Sequence, residues 1–271
     1  MPVTEQGSQK GTNLLLDPGS QCLVRFECQK CVGDSKSAVS IIVPVYNEVD
    51  IISKNLSYLS SCLGANYELI VCDDCSTDGT CYVVSSIAKI RSNIRLLRFG
   101  NRVGKGGTIK KGTEVSNGDL IVFIDADLSA SVKDLPKLLR LASERDVLVI
   151  SRRTIGERLT QGPLRLLLSL GYNLIVRLVF GTGVTDHQCG FKAMSKTVAR
   201  RLMAETANNG FVFDTELIVV AKKLGVPIQE VGIDWVERRS RSANGKWMRA
   251  TLEMLRELVL LRFNFQRSKS S

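Results

Sequence analysis

The sequence predicts an α/β protein with a mostly parallel sheet and helices on both faces of that sheet. Two observations predict this class. Short apolar runs rich in β-branched residues recur along the chain, and the segments between them carry apolar residues at the helical spacing of about 3.6. The composition agrees, since 271 residues that are 44% hydrophobic and 24% charged can form a sizeable core. Disordered, collagen-like and disulfide-stapled miniprotein classes are thereby excluded.

The first 36 residues differ from the remainder of the chain. They are rich in Gly, Ser, Gln and Lys and lack periodicity, whereas an apolar run begins abruptly at residue 39. We expect a flexible tail over residues 1–36, one main domain over 37–265 and a short tail over 266–271. The chain has no uninterrupted apolar run of about 18 residues and no apolar signal-peptide core, which predicts a cytosolic protein.

Five apolar runs are the predicted strands, in chain order Val39–Val45, Glu68–Val71, Ile94–Leu97, Leu120–Ile124 and Val147–Ile150. Helical spacing between the runs predicts the connecting helices, one of which covers residues 108–116. In such a sheet, ligands bind at the carboxyl ends of the strands. The residues that follow each run are therefore the candidates for chemistry.

Two aspartates follow the fourth run. Asp125 and Asp127 are two positions apart, so in an extended segment both carboxylates project to the same side and can bind one hard divalent cation. The pair predicts Mg²⁺ or Mn²⁺ as the cofactor, and with a diphosphate such an ion neutralises charge on the leaving group. Both residues are therefore candidate metal ligands and catalytic residues.

Two basic features suit such a diphosphate. Arg152 and Arg153 follow the fifth run, and a guanidinium group matches the geometry of a phosphate. Residues 101–107 form a basic, glycine-rich loop ahead of a helix, where backbone amides can hold an anion, and Lys105 in this loop is a candidate nucleotide-binding residue. The glycine spacing matches neither a Walker A loop nor the dinucleotide pattern, which disfavours ATPase, GTPase and NAD-dehydrogenase functions.

The charge and two amphipathic stretches point to a membrane surface. The chain carries 37 Lys and Arg against 27 Asp and Glu, a formal charge of +10 that favours anionic partners. Pro163–Phe180 predicts a helix with a polar residue at every fourth position, which suits either a membrane surface or a buried core helix, and the charge favours the membrane. Lys246–Arg267 is a second basic amphipathic stretch. Because the basic residues are scattered and few aromatics accompany them, nucleic acid is not an expected partner.

The eight cysteines are expected to be reduced thiols that fill apolar space. Cys28 and Cys31, like Cys72 and Cys75, have the spacing of zinc ligands, and Cys22 could join the first pair. The two pairs lie too far apart for an ordinary zinc ribbon. A structural zinc site is therefore the less favoured interpretation.

A set of motifs in a fixed order carries a family resemblance. The motifs are Ile41–Glu48, Asp73–Thr80, Asn101–Gly107, Asp125–Asp127, Asp186–Lys192, Gly210–Glu216 and Trp235–Arg238. With them the chain resembles the family-2 inverting glycosyltransferases of the GT-A fold, and most of all the dolichyl-phosphate (polyprenyl-phosphate) mannosyl- and glucosyltransferases. The resemblance covers about residues 39–262.

The resemblance implies roles for the residues at matching positions. The residues implied to bind the nucleoside are Pro44, Tyr46, Glu48 and one of Asp73 and Asp74. Asp125 and Asp127 would hold the metal and the diphosphate. The residues implied to bind the donor diphosphate or the acceptor phosphate are Arg152 or Arg153, together with Arg238 or Arg239.

The implied reaction is transfer of a hexose from a nucleotide sugar to dolichyl or a related polyprenyl phosphate. Gly104–Gly107, Gln188–Lys192 and Ser129 favour UDP-glucose as the donor over GDP-mannose. A phosphate acceptor is already anionic, so it needs no general base, and His187, the only histidine, is expected to be structural. The alternative keeps the fold and uses a soluble saccharide or protein acceptor.

The resemblance also bears on the location. Members with this activity often carry transmembrane helices after the catalytic domain, and this sequence predicts none. We therefore expect peripheral attachment to the cytosolic face of a membrane, or attachment through a membrane-protein partner.

Overall fold

One eight-stranded sheet organises the described part of the chain. The computed structural model describes residues 24–25, 39–63, 67–144, 146–153, 163–234, 254 and 256–263. The strands are β1 (Val24–Arg25), β2 (Val39–Val45), β3 (Tyr67–Asp73), β4 (Ile94–Arg98), β5 (Leu120–Phe123), β6 (Leu148–Arg153), β7 (Lys192–Ser195) and β8 (Ile228–Ile233). Each of the five predicted strands is present, with bounds that differ by three residues at most.

The strands lie in the order β1-β4-β3-β2-β5-β7-β6-β8. The pairs β3/β4, β2/β3, β2/β5 and β6/β8 are parallel, whereas β1/β4, β5/β7 and β6/β7 are antiparallel. The predicted mostly parallel sheet is thus confirmed. Strand β7 lies between β5 and β6 and is antiparallel to both, so β6 runs parallel to β5. Strands β2 to β6 therefore end at one edge of the sheet, here named the carboxyl edge. The opposite edge is named the amino edge.

Helices cover both faces of the sheet. They are α1 (Val49–Cys62), α2 (Thr80–Ile90), α3 (Gly104–Glu114), α4 (Leu135–Glu144), α5 (Pro163–Phe180), α6 (Lys196–Glu205) and α7 (Phe213–Lys223), and residues 256–263 are also helical. The predicted bounds of α5 are confirmed. The prediction that a helix begins at residue 108 was wrong, because α3 begins at Gly104 in spite of the low helix propensity of its glycines.

The alternation of side chains along β2 divides the core into two layers. Ile41 and Val43 face a cluster that includes Leu56 of α1, and Ile42 faces a second cluster that includes Ile109 of α3 and Leu217 of α7. Successive residues of a strand point to opposite faces, so a sheet covered on both sides needs apolar residues at both sets of positions. This requirement explains why the predicted strands are continuous apolar runs.

Some predicted features lie outside the described residues. These are Arg238, Arg239, the three cysteines at 22, 28 and 31, most of residues 1–36 and most of Lys246–Arg267. Within residues 1–36 the structure describes Val24–Arg25, which pairs with β4 at Leu97 and Arg98. The sequence pattern had not predicted this short strand.

Candidate active site

The strand register brings four strand ends together at the carboxyl edge. Val45, the last residue of β2, pairs with Asp73 of β3. At the end of β5, Phe123 pairs with Ile42 and with Lys192, and Lys192 in turn pairs with Ile150 of β6. The candidates Tyr46, Asp73, Asp125 and Arg152 therefore all lie at one edge, as the order of the runs predicted.

Among the described residues, three that are not glycine adopt left-handed backbone conformations, and all three lie in loops at this edge. Asn47 follows β2 with φ of 54°, Cys75 follows β3 with φ of 61°, and Leu128 follows β5 with φ of 49°. A positive φ costs an ordinary L-residue about 1–2 kcal/mol. Such strain concentrates at functional sites, where the loops are held for binding rather than for local stability.

Asp73 carries a buried acceptor that the described protein leaves open. Its side chain is fully buried, and Oδ2 accepts from the backbone amide of Ser76 at 3.4 Å and lies 3.6 Å from Nε of Arg98. Oδ1 has no hydrogen-bond partner among the described residues. Burial raises the pKa of Asp73 above its ordinary value, against the hydrogen bonds from Ser76. A buried acceptor without a partner is costly, so a ligand N–H donor that reached Oδ1 would be stabilising.

Asp74, its neighbour, is fully engaged by protein groups. Its carboxylate accepts from the amides of Val103 at 2.6 Å and Gly104 at 3.2 Å, and from Nε of Arg102 at 3.3 Å. The guanidinium of Arg102 also lies 3.6 Å above the centre of the Tyr46 ring. The backbone amides at the start of α3, which were expected to suit a diphosphate, bind the Asp74 carboxylate instead. Of the two candidate aspartates, Asp73 is the one with an oxygen left for a nucleotide.

The glycines of the 101–107 loop serve close packing. Gly104 has φ of +81°, and a Cβ there would lie 2.3 Å from the carbonyl oxygen of Asn209. The amides of Gly106 and Gly107 donate to that same oxygen. The loop therefore packs on residues 208–210, and this contact directs Lys105 of the first turn of α3 into the site.

Lys105 lies between two carboxylates. Its Nζ is 2.8 Å from Oδ1 of Asp125 and 2.8 Å from Oδ2 of Asp214. Burial alone lowers the pKa of Lys105, but the charges of Asp125 and Asp214 outweigh burial and raise that pKa above its ordinary value. The ammonium therefore stays charged and is bound to a candidate metal ligand. Its predicted contact with a nucleotide stays a prediction.

Asp125 and Asp127, the two candidate metal ligands, lie in a turn after β5 in which the amide of Leu128 donates to the carbonyl oxygen of Asp125. The side chain of Asp125 is 37% exposed and lies against the backbone of Gly190, where a Cβ would approach Oδ2 to 2.2 Å. Asp127 is half-buried, and its Oδ1 accepts from the amide of Ser129 at 3.0 Å. Among the described residues there is no group of three or more His, Cys, Asp or Glu that could enclose an ion. Two carboxylates with open positions fit Mg²⁺ or Mn²⁺ that shares its remaining ligands with phosphate and water.

The other predicted residues lie at the same edge of the sheet. Arg152 is exposed at the end of β6, next to Ser151, whose amide donates to Phe191; Arg153 ends the same strand. Pro44 is half-buried in β2, and Glu48 precedes α1 with its amide donating to Thr80 Oγ1 at 2.8 Å. These positions are compatible with the predicted roles, which stay predictions.

His187 is structural, as expected. It is fully buried, with Nε2 2.7 Å from Thr182 Oγ1 and Nδ1 2.8 Å from Asn173 Oδ1. Burial lowers the pKa of His187 to about 4, so the ring is neutral near pH 7. Both ring nitrogens are used by the protein, which leaves none for substrate.

The sequence patterns missed two charged residues of the site. Lys192 is fully buried and binds the carboxylate of Asp214, the same residue that holds Lys105. Lys192 and Asp214 each lie in an apolar segment of the sequence, and an isolated charge in such a segment indicates a buried ion pair. The two positions are 22 residues apart, so no local pattern links them.

Helix α5 presents two different faces. Tyr172, Asn173 and Val176 face the protein, where the Tyr172 hydroxyl lies 2.8 Å from Thr215 Oγ1. Large apolar side chains are exposed on the other face and on the C-terminal helix: Leu167, Leu170, Leu174, Ile175, Leu178, Val179, Val259, Leu260 and Phe263. The interpretation of α5 as a buried core helix was therefore wrong. Asn173, one of the polar residues that recur at every fourth position of this helix, lies on the inner face and binds His187. No helix in the described ranges is long and apolar enough to cross a membrane.

Comparison with known proteins places these features in a family. Residues 40–203 match Glycosyl transferase family 2. The dolichyl-phosphate beta-glucosyltransferase of Dictyostelium discoideum is 31% identical over 245 residues, which cover 84% of this chain and 74% of that protein. The glycosyltransferase AglD of Haloferax volcanii is 32% identical over 204 residues, 73% of this chain and 33% of AglD. The chain thus spans about a third of AglD and about three quarters of the first relative.

Solved structures share the fold. Glucosyl-3-phosphoglycerate synthase from Mycobacterium tuberculosis, in complex with Mn²⁺, UDP-glucose and phosphoglyceric acid, superposes with a TM-score of 0.63 at 23% identity, over 83% of this chain and 80% of that one. The same enzyme with Mg²⁺ and UDP gives a TM-score of 0.62 at 24% identity, over 83% and 79% of the two chains. The sheet and helices are therefore those of a GT-A fold.

Proposed function

Because this chain belongs to glycosyl transferase family 2 and is a glycosyltransferase, we propose that it transfers glucose from UDP-glucose to dolichyl or a related polyprenyl phosphate. The observation that carries the proposal is the meeting of Asp73, Asp125 and Asp127 at the carboxyl edge. The named activity of the Dictyostelium relative supports the sugar and the lipid acceptor. GDP-mannose is kept as the second donor to test.

In this proposal the nucleoside lies between Tyr46 and Asp73. The open Oδ1 of Asp73 accepts an N–H from the base, and the Tyr46 ring, which is 36% exposed, offers an aromatic face. Pro44 and Glu48 line the same strand end. Asp73 and Pro44 are held in place by the sheet, so little conformational entropy is lost when they bind.

Asp125 and Asp127 would hold Mg²⁺ or Mn²⁺, which when bound offsets the negative charge that gathers on the departing diphosphate. The acceptor phosphate oxygen forms a bond to the anomeric carbon as the bond from that carbon to the diphosphate oxygen breaks, which inverts the configuration. Since the attacking oxygen is already anionic, no side chain has to remove a proton. Arg152, with Arg153 and Arg238, is proposed to hold the two phosphate groups close together.

The exposed apolar face of α5 and residues 256–263 supports a membrane surface as the source of the acceptor. Leu174 and Leu178 of α5 lie on this face, beside the exposed Arg177, and Arg256 and Arg262 are exposed on the second helix. Apolar side chains interleaved with arginines suit the boundary between acyl chains and anionic headgroups. We propose peripheral attachment to the cytosolic face, directly or through a membrane-protein partner.

The test is transfer of labelled glucose from UDP-glucose to a polyprenyl phosphate, measured as organic-extractable, acid-labile product. Asp127→Asn should lower the rate by about 10²–10³-fold, the size expected for lost transition-state charge stabilisation, and EDTA should do the same. Asp119→Asn is the matched control, because Asp119 is exposed beside β5 at the amino edge. Product that stays in the aqueous phase with a saccharide acceptor would contradict the lipid acceptor, and full activity in EDTA would contradict the metal.

A further inference from the structure

Four side chains of alternating charge lead from the carboxyl edge into the core. Lys105 Nζ contacts Oδ1 of Asp125 and Oδ2 of Asp214, each at 2.8 Å. Lys192 Nζ contacts Oδ1 of Asp214 and the carbonyl oxygen of Cys189, each at 2.5 Å. The order Asp125, Lys105, Asp214, Lys192 is here named the charge chain, and its two carboxylates balance its two ammonium groups.

The charge chain is anchored at its inner end. The side chain of Lys192 is 1% exposed, that of Asp214 5% and that of Lys105 15%, whereas that of Asp125 is 37% exposed. Burial alone raises the pKa of Asp214, but the charges of Lys105 and Lys192 outweigh it and lower that pKa. A buried charge that loses its partner is strongly destabilising, so Asp214 keeps both ammonium groups.

The ammonium group of Lys105 contacts Asp125, the outer carboxylate of the charge chain. Asp214 holds it from one side, and the packing of Gly104 against Asn209 fixes the backbone beside it. The positive end of the α3 dipole lies at the same place. A divalent cation that binds Asp125 therefore meets a fixed positive charge that shares its ligand. Two such charges a few ångströms apart repel one another even where the effective dielectric constant is high.

A diphosphate removes that obstacle, because its negative oxygens attract the cation and the ammonium alike. We propose that Lys105 is a positioning residue that couples metal binding to donor binding: the metal binds Asp125 weakly alone and tightly together with the nucleotide diphosphate. The inference rests on the metal site of the proposed function. In this arrangement the donor raises the occupancy of the metal site.

The test is Mn²⁺ binding to the full chain, followed by the electron paramagnetic resonance signal of free Mn²⁺ with and without UDP, after subtraction of the Mn²⁺ that the same UDP binds without protein. For the native chain, UDP should increase Mn²⁺ affinity by about ten-fold or more. Lys105→Met, similar in length but uncharged, should bind Mn²⁺ more tightly than the native chain without UDP, and the gain from UDP should shrink. Merely disturbed folding would weaken Mn²⁺ binding instead.

Lys111→Met is the matched control, since Lys111 lies on the same helix, is 43% exposed and pairs with Glu114. It should leave both affinities unchanged. If Lys105→Met does not fold, Lys105→Gln, which keeps a hydrogen-bond donor, serves the same comparison. Equal Mn²⁺ affinity of the native chain with and without UDP would overturn the inference, as would an unchanged or weaker affinity in a folded Lys105 variant. Absence of Mn²⁺ binding even with UDP would instead overturn the metal site of the proposed function.

Discussion

Strand β3 carries a buried carboxylate at each end, and the two have opposite surroundings. Glu68, at the amino edge, accepts from Ser40 Oγ at 2.6 Å, from the amide of Asn117 at 2.6 Å and from Arg95 at 2.7 Å. These bonds outweigh burial and lower the pKa of Glu68. Asp73, at the carboxyl edge, has a buried oxygen without a partner among the described residues, and burial raises its pKa.

The difference separates stability from function along a single strand. At the amino edge every oxygen of the carboxylate is used within the protein, so that edge stabilises the fold. At the carboxyl edge the strained loops and the open acceptor cost stability in the absence of a ligand. A substitution at the amino edge should therefore change unfolding, and one at the carboxyl edge should change binding.

The largest effect is expected at Glu68. Glu68→Gln turns one acceptor oxygen into an amide group that faces donors, and Arg95 loses its charged partner. The free energy of unfolding should fall by about 3 kcal/mol, measured by urea denaturation. Transfer activity per folded molecule should be unchanged. Glu114→Gln, at an exposed pair with Lys111, is the control and should cost no more than about 0.5 kcal/mol. Loss of activity without loss of stability at Glu68 would break the comparison.

His187 resembles Glu68, because both nitrogens of its ring have hydrogen-bond partners inside the protein. Its pKa is about 4 in the folded chain and 6.5 for an unperturbed histidine, so the unfolded chain binds the proton more readily. Stability from this residue is complete above about pH 6.5 and is lost as the pH falls towards 4. Between pH 7.5 and pH 5 the loss should be about 2 kcal/mol, measured by urea denaturation at each pH. In His187→Gln the same pH interval should cost much less, and an equal loss in both proteins would assign it to other groups.

Asp73→Asn sharpens the other half of the comparison. The amide oxygen should turn to the Ser76 amide and Arg98, which leaves the NH₂ group where a nucleobase donor is proposed to bind. Affinity for UDP, measured by calorimetry, should fall about ten-fold. Stability should change little, since the buried carboxylate was poorly satisfied. If the variant lost much of its unfolding free energy but kept native UDP affinity, Asp73 would stabilise the fold, as Glu68 does, and would not bind the nucleotide.

The fold was largely predictable because its signals are local. The run Val39–Val45 and the helix Pro163–Phe180 have the bounds that the apolar pattern predicts. Strand β7 was not predictable, since it is four residues long and begins with a buried lysine. The start of α3 was missed because its glycines disfavour a helix locally, whereas close packing, as of Gly112 against Ile42, requires them.

The sequence predicted which residues lie at the carboxyl edge but not which of their side chains bind one another. Asp125 and Asp73 follow apolar runs, so strand order alone places them at one edge. That Asp74 binds the start of α3, and that Lys105 binds Asp125, depends on loops that meet only in the folded chain. Charge and burial of a pair cannot be inferred from spacing when its members are tens of residues apart.

The smallest expected effect concerns α5, whose two faces also differ. The inner face makes hydrogen bonds to Thr215 and His187, whereas the outer face is apolar and exposed. Leu178 is 76% exposed, so Leu178→Ser should leave unfolding unchanged. Partition onto vesicles of phosphatidylcholine and phosphatidylserine, measured by sedimentation, should weaken about five-fold, the value of one partly buried leucine at an interface. Ile90→Ser, at an 86% exposed residue on α2, is the control and should not change partition. Equal weakening by both would mean that the outer face of α5 is an ordinary surface and that attachment depends on charge alone.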